Sequence, residues 1–289
     1  MSATLPLPAP YGTAYPPEVS EYADEMVEAQ QASEALIVPR EASRVIVGDV
    51  LAVLADMAPE SVSCVVTDPP YNVGKDFGNG ASADRRQDYD AWLLSVWAAC
   101  GRVVEEGGFL IYTNRIGHLP MGMLAVPEPW RLFHVGVWHK PLALAGCWYS
   151  IAPHWEPIFI YVKGKPWRAF RSGFVMPDVR QHNVVTGGQR GHPTQKPLGL
   201  MRDLVAFACR PGGTVLDPFC GSGTTLLAAV GLGFAALGID SNPAYCDIAR
   251  RRLEGVAPDA HPAQAVLPLE ALGGYGYFLL GSVVDGSRR

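Results

Sequence analysis

Short apolar runs alternate with helix-like stretches along the middle of the chain, and this alternation limits the fold more than any other feature. It is typical of an open, mostly parallel α/β sheet with helices on both faces. Seven strands are predicted, at Arg44–Val47, Ser63–Thr67, Gly108–Thr113, Leu132–Trp138, Pro157–Val162, Thr214–Leu216 and Ala235–Ile239. Five helices are predicted, at Val50–Met57, Tyr89–Val104, Leu198–Cys209, Thr224–Leu232 and Pro243–Leu253. No obvious helix separates the fourth and fifth strands, so we expect an antiparallel pair at one sheet edge.

The two ends of the chain differ in composition from this middle part. Residues 1–40 are rich in proline and acidic side chains, which predicts a solvated arm. Residues 257–289 begin in an Ala/Pro run and become rich in glycine, and we predict a C-terminal tail there. A single domain is therefore expected at residues 41–256.

Composition excludes several classes of protein. No window approaches the roughly eighteen apolar residues of a membrane helix, and the N-terminus lacks a secretory signal, so we expect a cytoplasmic protein without a membrane partner. The six cysteines include no C-x-x-C pair, which predicts neither a zinc cluster nor any other metal site. The net charge of −5 argues at first sight against nucleic acid, whose partners are usually basic.

A glycine-rich turn joins a predicted strand to a helix in the segment Asp217-Pro218-Phe219-Cys220-Gly221-Ser222-Gly223-Thr224-Thr225. Glycine lets the backbone approach a ligand, and the helix N-terminus offers free N–H groups. No lysine follows, unlike in a phosphate-binding loop, so a cofactor without a polyphosphate is favoured. The next strand ends at Asp240, where a carboxylate can accept both ribose hydroxyls of an adenosine. Each feature is common in α/β proteins, but together they predict an adenosine-type cofactor.

A second predicted strand runs into Asp68-Pro69-Pro70-Tyr71. Proline has no N–H, so the carbonyls of Asp68 and Pro69 are expected to remain available to a ligand. A carboxylate and a carbonyl beside an aromatic ring suit a planar group that carries an –NH2. On these four residues alone, an ordinary strand-ending turn is the alternative.

A third segment, His192-Pro193-Thr194-Gln195-Lys196-Pro197, immediately precedes the helix predicted at Leu198. Pro197 suits the first position of a helix, and Lys196 can pair with a carboxylate near the turn. A helix start with a loop histidine is the simpler interpretation. The position of His192 upstream of the glycine-rich turn favours a cofactor contact.

These segments resemble the S-adenosylmethionine-dependent amino-methyltransferases of DNA, with the motif order of the permuted beta group. The similarity covers about Arg44 to Glu254 and implies a Rossmann-like methyltransferase fold. The matching segments are Val47–Asp49, Asp68–Tyr71, Gly107–Ile111, Trp138–Pro141, His154–Glu156, His192–Pro197, Asp217–Thr225 and Gly238–Asp240 with Asn242. Co-occurrence of three motifs in one order is more specific than any single motif. The resemblance also implies double-stranded DNA as the partner and a target-recognition segment at residues 163–191.

The reaction that the resemblance implies is site-specific methyl transfer to the exocyclic amine of a base that is flipped out of the duplex. The implied catalytic residues are those of the D-P-P-Y motif. Asp68 and the Pro69 carbonyl would hold the amine, and Tyr71 would stack on the base. Pro70 completes the motif.

The resemblance also implies the contacts to the cofactor, S-adenosylmethionine. They are Asp49, Asp68, His192, Thr194, Lys196, Asp217, Pro218, Phe219, Gly221, Ser222, Gly223, Thr224, Asp240 and Asn242. Asp240 is assigned to the ribose and Asp49 to the adenine. Thr194 and Lys196 are assigned to the methionine end. The family usually has glutamate where Asp240 stands, and the shorter acid can serve the same contact.

Several alternatives stay open. Asp68 favours adenine N6, because the cytosine-amine enzymes of the family more often have serine there, but cytosine N4 fits the same pocket. Methylation of RNA or of a protein glutamine amide is a further alternative, although the protein-amide enzymes typically have asparagine where Asp68 stands. A non-catalytic DNA-binding subunit would have no physical need for Asp68, Tyr71 and both glycines of the turn. Residues 163–191 are few for target recognition, so the loop at residues 74–90 or a second subunit of a homodimer could share it. A cognate restriction enzyme is a further open partner.

The charge of the chain is unevenly distributed. Residues 1–60 contain ten acidic and two basic side chains, whereas residues 163–196 contain seven basic and one acidic. Trp167, Phe170 and Phe174 lie among these bases. Phosphate contacts need positive charge and bases stack on aromatic rings, so the DNA contact is predicted in this segment.

We expect the DNA affinity of this acidic protein to fall steeply as salt is raised from about 50 to about 200 mM, because phosphate neutralisation releases counterions. Fluorescence anisotropy with a labelled duplex measures this dependence. A flat response would contradict a basic DNA-binding segment.

Overall fold

The computed structural model describes residues 42–75, 85–125, 127–141, 153–166, 176–185 and 195–255. The predicted arm at residues 1–40 and the predicted tail at 257–289 lie outside the described residues. So do residues 167–175 and 186–191 of the target-recognition segment. The division of the chain into arm, domain and tail therefore stays a prediction.

The described residues form one eight-stranded sheet in the order β1-β8-β7-β2-β3-β5-β4-β6. The strands are β1 Arg44–Val47, β2 Val62–Thr67, β3 Val104–Thr113, β4 Trp130–His139, β5 Trp155–Lys163, β6 Val179–Gln181, β7 Thr214–Asp217 and β8 Ala235–Asp240. Only β5 runs antiparallel to its neighbours, β3 and β4. All other pairs in this sheet are parallel.

The sheet confirms the predicted α/β class and the antiparallel pairing of the fourth and fifth strands. Its strand count is eight rather than the predicted seven, because β6 adds a short parallel strand outside β4. A strand of three residues is too short to show a pattern of alternating apolar and polar side chains, so the sequence does not predict it. β3 also begins earlier than predicted, because Glu105 and Glu106 interrupt the apolar run at its start.

The described residues contain six α-helices, of which the last follows β8. They are α1 Val50–Asp56, α2 Tyr89–Val103, α3 Leu119–Leu124, α4 Leu198–Ala208, α5 Thr224–Gly231 and α6 Pro243–Glu254. The sequence pattern does not predict α3 or the 3-10 turn Ile116–His118 before it. None of the helices in these described ranges is long and apolar enough to cross a membrane.

Both faces of the sheet are covered by helices, as predicted. On β3, Phe109 and Ile111 pack in the core that contains α4 and α5. Leu110 and Tyr112 face the opposite way, into the core that contains α1 and α2. Since successive side chains of a strand point to opposite faces, a strand buried on both sides is apolar throughout. This explains why the predicted strands are continuous apolar runs.

Parallel strand direction gathers acidic residues at one edge of the sheet. β1, β2, β7 and β8 run parallel, so their carboxyl ends meet at the same edge. Asp217 and Asp240 are the last residues of β7 and β8, and Asp49 and Asp68 follow β1 and β2 closely. The edge where ligands bind in open α/β sheets therefore has four carboxylates.

Replacing Leu204 with alanine tests the α4 core. Leu204 is fully buried, so Leu204→Ala should lower the free energy of unfolding by about 2–5 kcal/mol in urea titration. Leu198, on the same helix, is 42% exposed, and Leu198→Ala should change it by less than about 1 kcal/mol. Equal effects of the two changes would contradict the described packing.

Candidate active site

A cavity of about 330 Å3 opens at the carboxyl edge of the sheet. The structure brings both predicted motifs into its wall. The predicted site residues that line it are Asp49, Asp68, Pro69, Pro70, Tyr71, Lys196, Asp217, Pro218, Phe219, Gly221, Ser222, Thr224, Asp240 and Asn242. Predicted residues His192 and Thr194 lie outside the described residues. Gly223 is described but is not among the lining residues.

Gly223 acts through the backbone of the turn. It is the N-cap of α5 and has a φ of 83°, in the left-handed region that favours glycine. A Cβ atom there would lie 2.8 Å from Cβ of Ala249 on α6, so the close approach of α5 and α6 also requires glycine. Gly221 has a φ of 47° and also needs glycine's freedom. The two glycines therefore shape the turn between β7 and α5, and Gly221 lines the cavity.

Asp240 fixes the same turn from the end of β8. Its Oδ2 accepts a hydrogen bond from the Gly221 N–H at 2.9 Å, and its Oδ1 accepts one from the Asn242 N–H at 2.8 Å. Burial raises the pKa of Asp240. A carboxylate has about four acceptor positions, so these two bonds leave capacity for a ligand. Asn242 itself caps α6 by accepting from the Ala244 N–H at 2.9 Å.

Two further residues support the side of the cavity that contains the glycine-rich turn. Asp49 caps α1, with Oδ1 accepting from the N–H groups of Leu51 and Ala52. Arg252 lies behind the glycine-rich turn and donates to the Ser222 carbonyl oxygen at 2.6 Å. Sequence reasoning missed Arg252, because a single arginine on an amphipathic helix is usually solvated. The cofactor contacts assigned to Asp49 and Asn242 stay predictions.

Asp217 is buried beneath the turn and joins two strand ends. It is 3% exposed, and its Oδ1 accepts from Thr67 Oγ1 at 2.6 Å and from the Phe219 N–H at 3.1 Å. Burial raises the pKa of Asp217 to about 6. Thr67 ends β2, so Asp217 connects the glycine-rich turn to the strand that leads into the D-P-P-Y motif.

The Asp68 carboxylate lies in a cluster of hydrogen-bond donors. Its Oδ1 accepts from Thr113 Oγ1 at 2.5 Å and from the Tyr71 hydroxyl at 2.7 Å. Its Oδ2 accepts from Lys196 Nζ at 2.6 Å. The assignment of Lys196 to the methionine end of the cofactor stays a prediction. In the structure its ammonium contacts Asp68.

The Tyr71 hydroxyl lies between two carboxylates. It is 2.9 Å from Glu156 Oε2 as well as close to Asp68, and it accepts from Lys196 Nζ at 3.0 Å. Burial and the charges of Asp68 and Glu156 raise the pKa of Tyr71 well above its ordinary value, so the phenol remains neutral. Having one proton, it donates to one carboxylate at a time. Its stacking on a base stays a prediction.

Glu156 and Lys140 extend the cluster away from the cavity. Lys140 Nζ lies 2.8 Å from Glu156 Oε1, and Lys196 Nζ lies 3.6 Å from Glu156 Oε2. Burial alone would raise the pKa of Glu156, but the two ammonium charges outweigh it and lower that pKa. Likewise, Asp68 and Glu156 outweigh burial and raise the pKa of Lys196. Both Glu156 and Lys140 lie in segments that resemble the family, although sequence reasoning assigned them no role.

The carbonyl groups of the two prolines differ in their contacts. The Tyr89 hydroxyl donates to the Pro70 carbonyl oxygen at 2.5 Å. Within the described residues, no donor bonds the Pro69 carbonyl oxygen. Asp68 and Pro69 both line the cavity.

Three of the seven bases counted between residues 163 and 196 are held in ion pairs. Lys163 pairs with Glu60, Arg180 with Asp203 and Lys196 with Asp68. These side chains are therefore committed to the protein. Among the other four, Arg168, Arg171 and Arg190 lie outside the described residues. Fewer basic side chains of this segment are therefore available to contact DNA phosphates than the sequence count suggests.

Comparison with known families identifies the chain. Residues 62–251 match the model of the N6/N4 DNA methylase family, which covers well over half of the protein. The chain belongs to this family of DNA methyltransferases, and the resemblance seen in its motifs is confirmed. Across 245 residues it is 29% identical to the DNA adenine methyltransferase YhdJ of Escherichia coli (strain K12), covering 74% of this chain and 83% of the relative.

Solved structures share the fold. The chain is 26% identical to TTHA0409, a protein from Thermus thermophilus solved in complex with S-adenosyl-L-methionine, with a TM-score of 0.56 over 73% of this chain and 94% of that one. It is 18% identical to the cytosine-N4-specific PvuII DNA methyltransferase, with a TM-score of 0.60 over 77% of this chain and 89% of that one. The second likeness shows the fold alone. The predicted Rossmann-like methyltransferase fold is confirmed.

Asp217 generates a pH prediction. Its pKa of about 6 in the fold exceeds the ordinary value of about 4 in an unfolded chain. The folded state therefore binds this proton more tightly than the unfolded state, and protonation of Asp217 stabilises the fold. This contribution is complete below about pH 4 and is lost as pH rises to about 6. Asp217→Asn keeps an acceptor for Thr67 but cannot ionise. The free energy of unfolding of the wild type should therefore fall relative to the variant by about 2–3 kcal/mol between pH 4 and about 6, then level off.

Urea unfolding of both proteins across this pH range measures the difference. Parallel stability curves for the wild type and Asp217→Asn would contradict the buried, proton-binding carboxyl.

Proposed function

We propose that this DNA methyltransferase transfers a methyl group from S-adenosylmethionine to N6 of adenine. The proposal rests on one observation. Asp68 and Pro69 line the same cavity as the glycine-rich turn and Asp240. The aspartate at the first position of the D-P-P-Y motif favours adenine. The similarity to YhdJ, which is named a DNA adenine methyltransferase, supports the same base. A DNA substrate also agrees with the cytoplasmic location expected from the sequence.

The cofactor-facing side suits S-adenosylmethionine on several grounds. The turn before α5 has no side chain at Gly221 and Gly223, and the helix N-terminus presents N–H groups suited to a carboxylate. Asp240 retains acceptor positions for ribose hydroxyls. Phe219, at the cavity wall, offers an aromatic ring for an adenine. TTHA0409, solved with S-adenosyl-L-methionine, supports the same ligand.

When bound, S-adenosylmethionine supplies an electrophilic methyl group on a sulfonium. The task of this chain is to orient the accepting amine toward it, since attack geometry accounts for much of the barrier. The exocyclic amine of adenine is a poor nucleophile, because its lone pair is delocalised into the ring. Asp68 and the Pro69 carbonyl would each accept one N–H of that amine. This contact draws the nitrogen toward a tetrahedral arrangement.

The carboxylate of Asp68 has a second task at the same atom. The amine nitrogen gains positive charge as it accepts the methyl group, and a fixed negative charge beside it stabilises that change. Asp68 need not be a strong base, because the methylated, cationic amine is acidic and releases its extra proton readily. Lys196, at 2.6 Å, holds the carboxylate in one orientation.

The target base must leave the duplex to reach this site, because its amine is inaccessible in the stacked helix. The ring of Tyr71 would stack on the flipped base while its hydroxyl stays anchored among Asp68, Glu156 and Lys196. Such anchoring orders the ring before the base arrives. Target recognition by residues 163–191, shared with the loop at residues 74–90 or with a second subunit, belongs to the same proposal.

Nucleoside analysis tests the proposal directly. Unmethylated DNA is incubated with the protein and S-adenosylmethionine, digested to nucleosides and analysed by mass spectrometry. We expect N6-methyladenine. N4-methylcytosine in its place would reassign the base and leave the methyl-transfer chemistry standing. The absence of any methylated nucleoside across DNA of varied sequence would overturn the function.

Two substitutions separate the two sides of the cavity. Asp68→Ala should lower methyl transfer by about 100-fold or more, since a charge aimed at the reacting atom is lost, with cofactor affinity changed little. Asp240→Ala should weaken cofactor binding first, since it removes the ribose acceptor and loosens Gly221. Tritium transfer and calorimetry measure the two effects. Near-normal turnover of Asp68→Ala, or normal cofactor affinity of Asp240→Ala, would remove that residue from its role.

A further inference from the structure

Four charged side chains form one continuous ion cluster beside the cavity. The order of contacts is Lys140, Glu156, Lys196 and Asp68. Lys140 directly follows β4, Glu156 lies in β5, Lys196 precedes α4 and Asp68 follows β2. None of these side chains is more than 19% exposed. Two carboxylates and two ammonium groups give the cluster a net charge of zero.

Neutrality matters because these charges are largely removed from water. Breaking one buried ion pair by neutralising a single partner leaves an uncompensated charge, which is strongly destabilising. That residual charge also acts on its surroundings with less screening than in water. At this site the surroundings include Asp68 and the place where the amine becomes cationic.

Glu156 occupies the central position in the cluster. It contacts the Lys140 and Lys196 ammonium groups and the Tyr71 hydroxyl. Glu156 and Lys140 are not among the residues that line the cavity, so neither touches the reacting groups there. Any effect of this pair on the reaction must pass through Lys196, Tyr71 and the local electric potential.

We propose that the Glu156–Lys140 ion pair is a positioning device for methyl transfer, which holds Lys196 and Tyr71 on Asp68 and keeps the cluster neutral beside the amine. The proposal rests on the proposed function. Without the Glu156 charge, the cluster has a net charge of +1. Positive charge then faces a nitrogen that is itself becoming positive, and Lys196 loses its second carboxylate.

The consequence is a selective loss of the chemical step. Glu156→Gln keeps the size of the side chain and removes its charge. We expect kcat to fall by about 10- to 100-fold, on the scale of an electrostatic group near the transition state. The KM for S-adenosylmethionine should stay within about threefold of the wild-type value. An interaction made mainly in the transition state affects kcat, whereas KM changes when binding of the ground state changes.

Restoring neutrality provides the discriminating variant. Glu156→Gln combined with Lys140→Met removes one charge of each sign, so the cluster returns to a net charge of zero. We expect kcat of the double variant to be about tenfold higher than that of Glu156→Gln alone, because the effects of substitutions at residues in contact do not add. A packing role for Glu156 predicts no such recovery, because the second change removes another side chain from the same place.

Glu105→Gln is the matched control. Glu105 is 21% exposed, pairs with Arg210, and lies near the start of β3, at the opposite end of the sheet from the site. It should leave kcat unchanged. Unchanged kcat in Glu156→Gln would overturn the proposal, as would equal losses in kcat and cofactor binding. If Glu156→Gln fails to fold by circular dichroism, the double variant decides: kcat within about tenfold of wild type supports the proposal, and kcat as low as that of Asp68→Ala overturns it.

These outcomes are separable from failure of the proposed function. Wild-type protein that methylates no DNA overturns the function and the inference with it. Wild-type activity that is lost in Asp68→Ala but retained in Glu156→Gln overturns the inference alone.

Discussion

The parallel direction of β1, β2, β7 and β8 is the constraint on which the site depends. It brings four acidic residues that are remote in sequence to one edge of the sheet. Asp217 is the link between the two halves of this edge, because it accepts from Thr67 at the end of β2 while it lies under the glycine-rich turn. The turn and the D-P-P-Y motif are therefore held at a fixed separation by a buried hydrogen bond.

The two halves of the cavity are stabilised in different ways. On the half that contains the glycine-rich turn, Asp240 and Asp49 accept hydrogen bonds from backbone N–H groups, so their charges order turns and helix ends. On the other half, Asp68 is surrounded by side chains, and Lys196 and Glu156 shift each other's pKa in opposite directions. Backbone hydrogen bonds give shape, whereas the ion cluster sets the electric potential where a methyl group would be accepted. A fixed backbone shape suits the recognition of a cofactor, and a fixed electric potential suits a reaction in which positive charge moves to the accepting nitrogen.

The fold class and most strands could be predicted from the sequence, because strands buried on both faces are continuous apolar runs. β6 could not, since its three residues owe their structure to pairing with β4 rather than to a local pattern. In the site, the turn and Asp68 were predictable from their motifs, whereas Thr113, Glu156 and Lys140 were not. Their contacts join residues that are 16 to 85 positions apart, and only the assembled sheet brings them together. The ion pairs of Lys163 and Arg180 were hidden for the same reason, and they reduce the basic charge left for DNA.

In the proposed reaction, the glycine-rich turn and Asp68 act on one methyl group within a single cavity. A crystal structure of the protein with S-adenosylmethionine tests this most directly. We expect the ribose on Asp240, and the methyl carbon directed at the space beside the Asp68 carboxylate and the Pro69 carbonyl. A cofactor bound away from Asp240, or a methyl group directed away from Asp68, would contradict it.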